Sequence, residues 1–245
     1  MDKATQEIEE HLNDAAQELS GSGFIVANPK TIKELKARGL KFESKFISYE
    51  EYIEKLFLDR KKVAREMMGR FPLLSANLAN ASVKALYEEI RECYAFGILG
   101  ASITLAVILL ELALKDRLFR ERQKHNPNYK WDEIEKINFQ ATIKGLRTLQ
   151  IISKDEERYL NDFNLSVRNP YIHYNLKKLV ENVITSELVN VKTTTAEKQI
   201  LKDVRIKDYP YLWFAGKKFL DKEQANRTLN FTIGWVNQIL TEKND

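Results

Sequence analysis

The chain is poor in the residues that staple small folds or interrupt regular structure. It holds one cysteine, Cys93, and three histidines, His11, His125 and His173. A lone thiol cannot form an internal disulfide, and these four residues do not make a multi-cysteine zinc site. No metal and no cofactor is expected, and a reduced, cytoplasmic setting suits a single free thiol. Five prolines and nine glycines in 245 residues leave few enforced breaks. There is no internal repeat, no Walker-type or dinucleotide glycine motif, and no Gly-x-Ser-x-Gly. An excess of one charge is also lacking: 39 Lys and Arg against 35 Asp and Glu gives 39 − 35 = +4. That is too little to argue for a nucleic-acid partner from net charge alone. Residues 1–20 carry six acids (Asp2, Glu7, Glu9, Glu10, Asp14, Glu18) and one base, Lys3. The basic start and apolar run of a secretory leader are not there, so none is expected.

Apolar types make up 44% of the chain and charged types 30%, which excludes a disordered or low-complexity polymer. A chain of this length buries roughly 70–75% of its unfolded surface and can build a core without staples. From Cys93 to Leu110 no residue is charged, which meets the minimum length of a membrane span. The run is bracketed by Arg91-Glu92 and Glu111, contains Gly97, Gly100, Ser102 and Thr104, and has no aromatic belt at its far end. It reads as the central buried helix of a non-membrane protein; a membrane-associated helical protein is the less favoured alternative.

Apolar residues recur at helical spacing along most of the chain. Ile8, Leu12, Ala15, Ala16 and Leu19 form one stripe, closed by Gly21-Ser22-Gly23; Phe24–Pro29 reads as a strand or extended connector. Ser48 with Glu51, and Ser153 with Glu156, are capping boxes that open helices. The first carries Tyr52, Ile53, Leu56, Val63 and Met67 on one side, with Asp59–Lys62 and Arg65 as a solvated face. After Pro72 a new helix is expected to start within 74–82, reach about Tyr94, and join or turn into the apolar helix through Phe119. His125–Asn128 reads as a loop, with Asp132 capping a helix to about Gln150. Residues 189–196 read as a loop with room for a short strand. A last helix places Ala225, Leu229, Ile233, Val236 and Leu240 inward. The expected fold class is all-α.

Chemistry concentrates in Val167–Lys177, V-R-N-P-Y-I-H-Y-N-L-K. Asn is a strong helix cap and Pro is favoured at the first helical position, so Asn169 is expected to cap a helix beginning at Pro170. That helix would carry Ile172, Leu176, Leu179, Val180 and Val183 inward and place His173 in its first turn. Its positive end would attract phosphate and keep the imidazole neutral, able to accept a proton. Arg168 adds a planar cationic fork suited to phosphate oxygens, and Lys177, four residues beyond His173, strengthens the positive field. Such a pair meets the needs of RNA cleavage without a metal: a base for the ribose 2′-OH and a cation for the charge that builds on phosphorus oxygens. Tyr174 is a candidate for stacking on bases; for Tyr171, stacking and burial compete evenly. Glu111 with Lys115 reads as a routine i,i+4 pair, and orientation of Arg168 by Glu111 is the less favoured account. His11 reads as a solvated or boundary residue, and His125 as part of a basic surface loop.

The segment Arg168-Asn169-Pro170-Tyr171-Ile172-His173, an Arg and a His separated by four residues, resembles the signature of the HEPN superfamily. The flanking stretches AVILLELALKDRLF and LRTLQIISKDEERYLNDFNLSVRNPYIHY are similar to that family's core helices. The resemblance covers roughly residues 80–240. It implies a HEPN-type antiparallel helical bundle over 76–245, with residues 1–75 an N-terminal helical extension. It further implies a metal-independent endoribonuclease of toxin or defence type, acting on RNA as a homodimer whose two motifs meet. Arg168 and His173 would then be catalytic, Asn169 would support them, and Tyr174 and Lys177 would bind substrate. An antitoxin or other protein partner goes with that class. The alternative is a non-catalytic module of the same family that binds nucleotide, RNA or a partner protein.

Overall fold

A computed structural model describes residues 48–75, 81–192 and 197–241, together with Lys33 and Ala37. The expected helix ended by Gly21-Ser22-Gly23, the connector at Phe24–Pro29, and His11 lie outside the described residues. Ser48 and Glu51 exchange both capping bonds, Ser48 N–H to Glu51 Oε2 at 2.7 Å and Glu51 N–H to Ser48 Oγ at 3.1 Å. They open α1, Tyr49–Met68. Two longer helices follow, α2 at Ala81–Ala95 and α3 at Leu99–His125, the latter running to His125 itself.

The uncharged stretch is therefore not one helix. Gly97, with φ 68°, sits at the helix exit, where Gly97 N–H reaches Tyr94 O and Ile98 N–H reaches Cys93 O. This paired bonding ends α2 through a left-handed residue and starts α3 in a new direction. Among the described residues no helix is long and apolar enough to cross a membrane. The central burial expected of the stretch holds for α3, whose Ile103, Ala106, Val107, Leu109, Leu110, Ala113, Leu114 and Leu118 are buried.

Beyond α3 come α4 at Trp131–Glu135 and α5 at Phe139–Thr148. Asp132 lies in the first turn of α4 rather than at a cap. The cap of α5 is Asn138, whose side chain accepts from Ala141 N–H at 2.8 Å. The single helix expected to reach Gln150 is thus two, because a cap residue interrupts the apolar run at 138. Ser153 and Glu156 form their predicted box at 2.6 and 3.2 Å and open α6, Lys154–Phe163.

Helical structure then continues through a wide π turn, Asn164–Arg168, into α7, Asn169–Ile172. A short α8, Leu176–Leu179, follows, so the single inward-facing helix expected over 170–183 is broken in two. Two strands, β1 at Ile184–Lys192 and β2 at Glu197–Arg205, form a two-stranded sheet that extends to either side of the 189–196 stretch read as a loop with room for a short strand. The β-branched Ile184, Thr185, Val189 and Val191 suit an extended chain. Two 3₁₀ turns lead to α9, Trp213–Leu240. The protein is of the all-α class, with a two-stranded sheet among the described residues.

The described residues group into two units. One holds α1 up to Lys62 and the described residues of Ser186–Val204; the other holds Val63–Thr185 and Arg205 onward. The core lies in the second unit, where α3 packs against α2, α5 and α9. The predicted inward residues of α9, Ala225, Leu229, Ile233, Val236 and Leu240, are all buried there. Three rungs tie α6 and its continuation to α9: Gln238 donates to Glu156, Phe163 stacks on Phe231 at 4.6 Å, and Tyr171 donates to Asp221. Sequence number rises along one strip and falls along the other, so the two run antiparallel.

Candidate functional site

Asn169 does not cap a helix. Its backbone is helical (φ −60°, ψ −46°), and its N–H reaches back five residues to Asn164 O. The cause is Pro170. Proline has no N–H for the carbonyl of Ser166 and its ring would crowd that carbonyl. Widening the turn by one residue before the proline lets the helix pass through rather than end. The free amides and positive dipole end assigned to this point are consequently absent. His173 lies at the C-terminal end of α7, as its cap residue, and not in a first turn.

The helix then ends through a left-handed residue. Tyr174 has φ 48°, Tyr174 N–H bonds Tyr171 O at 3.2 Å, and Asn175 N–H bonds Pro170 O at 2.9 Å. The same bonding closes α2 at Gly97 and α5 at Gln150, where φ is 58°. For a bulky tyrosine this conformation costs of order 1–2 kcal/mol. Because the chain turns here, Lys177 is not on the same helix face as His173. It sits on α8, exposed, while its neighbour Lys178 is bound to Glu181. Hydrogen bonding and charge from Lys178 hold the Glu181 carboxyl below its ordinary range.

Arg168 is anchored. Its Nε and one terminal nitrogen donate to the same Glu111 oxygen at 3.2 and 2.9 Å, and the other terminal nitrogen donates to Asn169 Oδ1 at 3.0 Å. The guanidinium carbon stands 5.2 Å from the Phe139 ring centre. The Arg168 side chain is 17% exposed and that of Glu111 21%. Lys115 binds the second Glu111 oxygen at 3.1 Å. Both readings of Glu111 therefore hold: it makes the i,i+4 pair with Lys115, and it also orients Arg168, the account the sequence favoured less. Two cations share one carboxylate, so the cluster stays positive.

His173 and Tyr174 are exposed, and among the described residues no hydrogen bond or ion pair involves the His173 ring. Tyr171 is buried at 5% exposure, which decides between stacking and burial. Its hydroxyl donates to Asp221 Oδ1 at 2.7 Å. Burial, then the hydrogen bond and charge of Asp221, push that phenol far above its ordinary range near 10. The other Asp221 oxygen accepts from Lys217 Nζ at 2.6 Å. The Lys217 Nζ lies 5.2 Å from the Tyr171 ring centre and 5.8 Å from that of Tyr174.

Sequence reasoning missed Lys217 and Asp221. A signal was there: the inward stripe 225, 229, 233 extends back at four-residue steps to 221 and 217, placing two charges on the buried side of a helix. His125, read as a loop residue, is instead the exposed last residue of α3.

Fold and site together define an all-α protein with an Arg/His segment clamped between its central and last helices. No family model, curated protein or solved structure matches the chain.

Proposed function

We propose that the protein is a HEPN-like, metal-independent endoribonuclease of toxin or defence type that works on RNA as a homodimer. The observation that carries the reading is the contrast within one short segment. Arg168 is held on three nitrogens, whereas the His173 ring, five residues on, is exposed to solvent. A fixed cation and an accessible imidazole are the two groups that 2′-OH attack requires.

In this reaction His173 takes the proton of the 2′-OH, and the 2′ oxygen forms a bond to the adjacent phosphorus. The P–O5′ bond breaks, leaving a 2′,3′-cyclic phosphate and a 5′-OH. The 5′ oxygen needs a proton, which the second protomer's His173 supplies where two motifs meet. Arg168 keeps one unused N–H on each terminal nitrogen for phosphate oxygens. Tyr174 offers its exposed ring to a base, and Lys177 its charge to the strand.

A second reading, a non-catalytic helical module that binds nucleotide, RNA or a partner protein, is favoured by the Arg168–Glu111 pair. A guanidinium already matched by a carboxylate has less field left for charge developing on phosphorus.

One experiment separates the readings. Purified protein is incubated with single-stranded RNA in EDTA, and product ends are analysed. Cleavage to cyclic-phosphate ends, abolished in His173→Ala and in Arg168→Ala, is expected. Binding without turnover supports the module, and equal cleavage by wild type and His173→Ala removes His173 from the mechanism. Light scattering of the same sample is expected to give a dimer mass.

A further inference from the structure

His173 has to be held by its backbone, because among the described residues no polar partner holds its ring. The fixing contacts come from the far side of the turn. Tyr171 stands two residues before His173 and Tyr174 directly after it, and one ammonium, Lys217 Nζ, lies over both rings. Lys217 and the Tyr171 hydroxyl occupy the two oxygens of Asp221, one each. Tyr171, Lys217 and Asp221 are all at most 9% exposed. Space for the arrangement comes from Gly100 in the first turn of α3: a Cβ there would lie 2.6 Å from Lys217 Nζ and 2.7 Å from Asp221 Oδ2. A left-handed tyrosine persists where its surroundings over-determine it. Here the cation beneath its ring and the anchored Tyr171 three residues earlier do so.

We propose that Tyr171, Lys217 and Asp221 are a positioning unit that sets the turn bearing His173, counterpart to the Glu111 clamp on Arg168. Each end of the Arg/His segment is thereby tied to a different long helix through a carboxylate: α3 through Glu111 and α9 through Asp221. None of the three positioning side chains needs to touch substrate; they act through the backbone of residues 171–174. For turnover, the inference rests on the ribonuclease reading. Its effect on the His173 ring does not.

The test is Tyr171→Phe, which keeps the ring over Lys217 and removes only the hydroxyl. Full-length protein is compared with wild type by far-UV circular dichroism, by the His173 ring signal in a ¹H–¹³C spectrum, and by RNA turnover. The expected result is a native helix content, a broadened or doubled His173 signal, and turnover lowered roughly tenfold with KM little changed. Lys217→Arg, which keeps the cation, is expected to retain more of the wild-type signal than Lys217→Met. If Tyr171→Phe does not fold, Asp221→Asn, which keeps shape and an acceptor oxygen, provides the same comparison. A sharp, unshifted His173 signal in the folded variant overturns the positioning role. Wild-type protein that leaves RNA intact overturns the ribonuclease reading instead, and the His173 signal still decides the role of the unit.

Discussion

Tyr171 shows how one side chain couples packing to electrostatics. Its phenol is neutral in the fold because burial and the adjacent Asp221 charge oppose ionisation. In the unfolded chain it ionises near pH 10. A group whose acidity is weakened by folding stabilises the fold below the unfolded value and loses that contribution as pH rises beyond it. The loss amounts to about 1.4 kcal/mol per pH unit in that window. Wild type is therefore expected to be more stable than Tyr171→Phe near neutrality, and the gap should shrink between about pH 9 and about pH 11. Urea denaturation of both proteins across that range measures it. Parallel curves would mean that the hydroxyl is not held neutral by the fold. The residue types of the Arg/His segment were readable at once; Glu111 as the partner of Arg168 was only the less favoured account, and Asp221 as the partner of Tyr171 was not seen.

Helix ends separate what local physics controls from what it does not. Ser153 with Glu156 and Ser48 with Glu51 cap as their spacing predicts, because both partners lie within one turn. Asn169 has the same residue type as a cap and does not act as one. The preceding helix has no reason to stop there: its Leu160 and Phe163 are buried, and a π turn relieves the proline. The two positions should respond differently. Ser153→Ala is expected to cost about 1 kcal/mol. Asn169→Ala should cost about 0.5 kcal/mol, the value of one neutral side-chain bond, while loosening Arg168. Thermal melts of the two variants compare them, and a loss at Asn169 equal to that at Ser153 would restore it as a cap. The two strands were not read in full because neither alternates apolar and polar residues strictly.

Packing around α3 makes the glycines unequal. Gly100 faces Lys217 and Asp221 at distances no methyl can share. At Gly234, exposed in α9, nothing lies within 4 Å of a new Cβ. Opposite signs are expected: Gly100→Ala should destabilise by about 1–3 kcal/mol through overpacking. Gly234→Ala should stabilise by about 0.5–1 kcal/mol by restricting the unfolded chain. Chemical denaturation of both variants tests the pair, and a neutral Gly100→Ala would show that the triad has slack. Helical class, the buried side of α3 from Ile103 to Leu118, two capping boxes and the inward face of the last helix all followed from residue order, whereas Phe96, Ile98 and Ile108 of the uncharged stretch are exposed. Each depends on neighbours within one or two turns, where spacing alone dictates geometry. Folding decided which distant polar groups meet, Arg168 with Glu111 across 57 positions and Tyr171 with Asp221 across 50. Those meetings depend on how α3, α7 and α9 stack, and stacking is settled by the fit of many side chains at once rather than by any short run of residues.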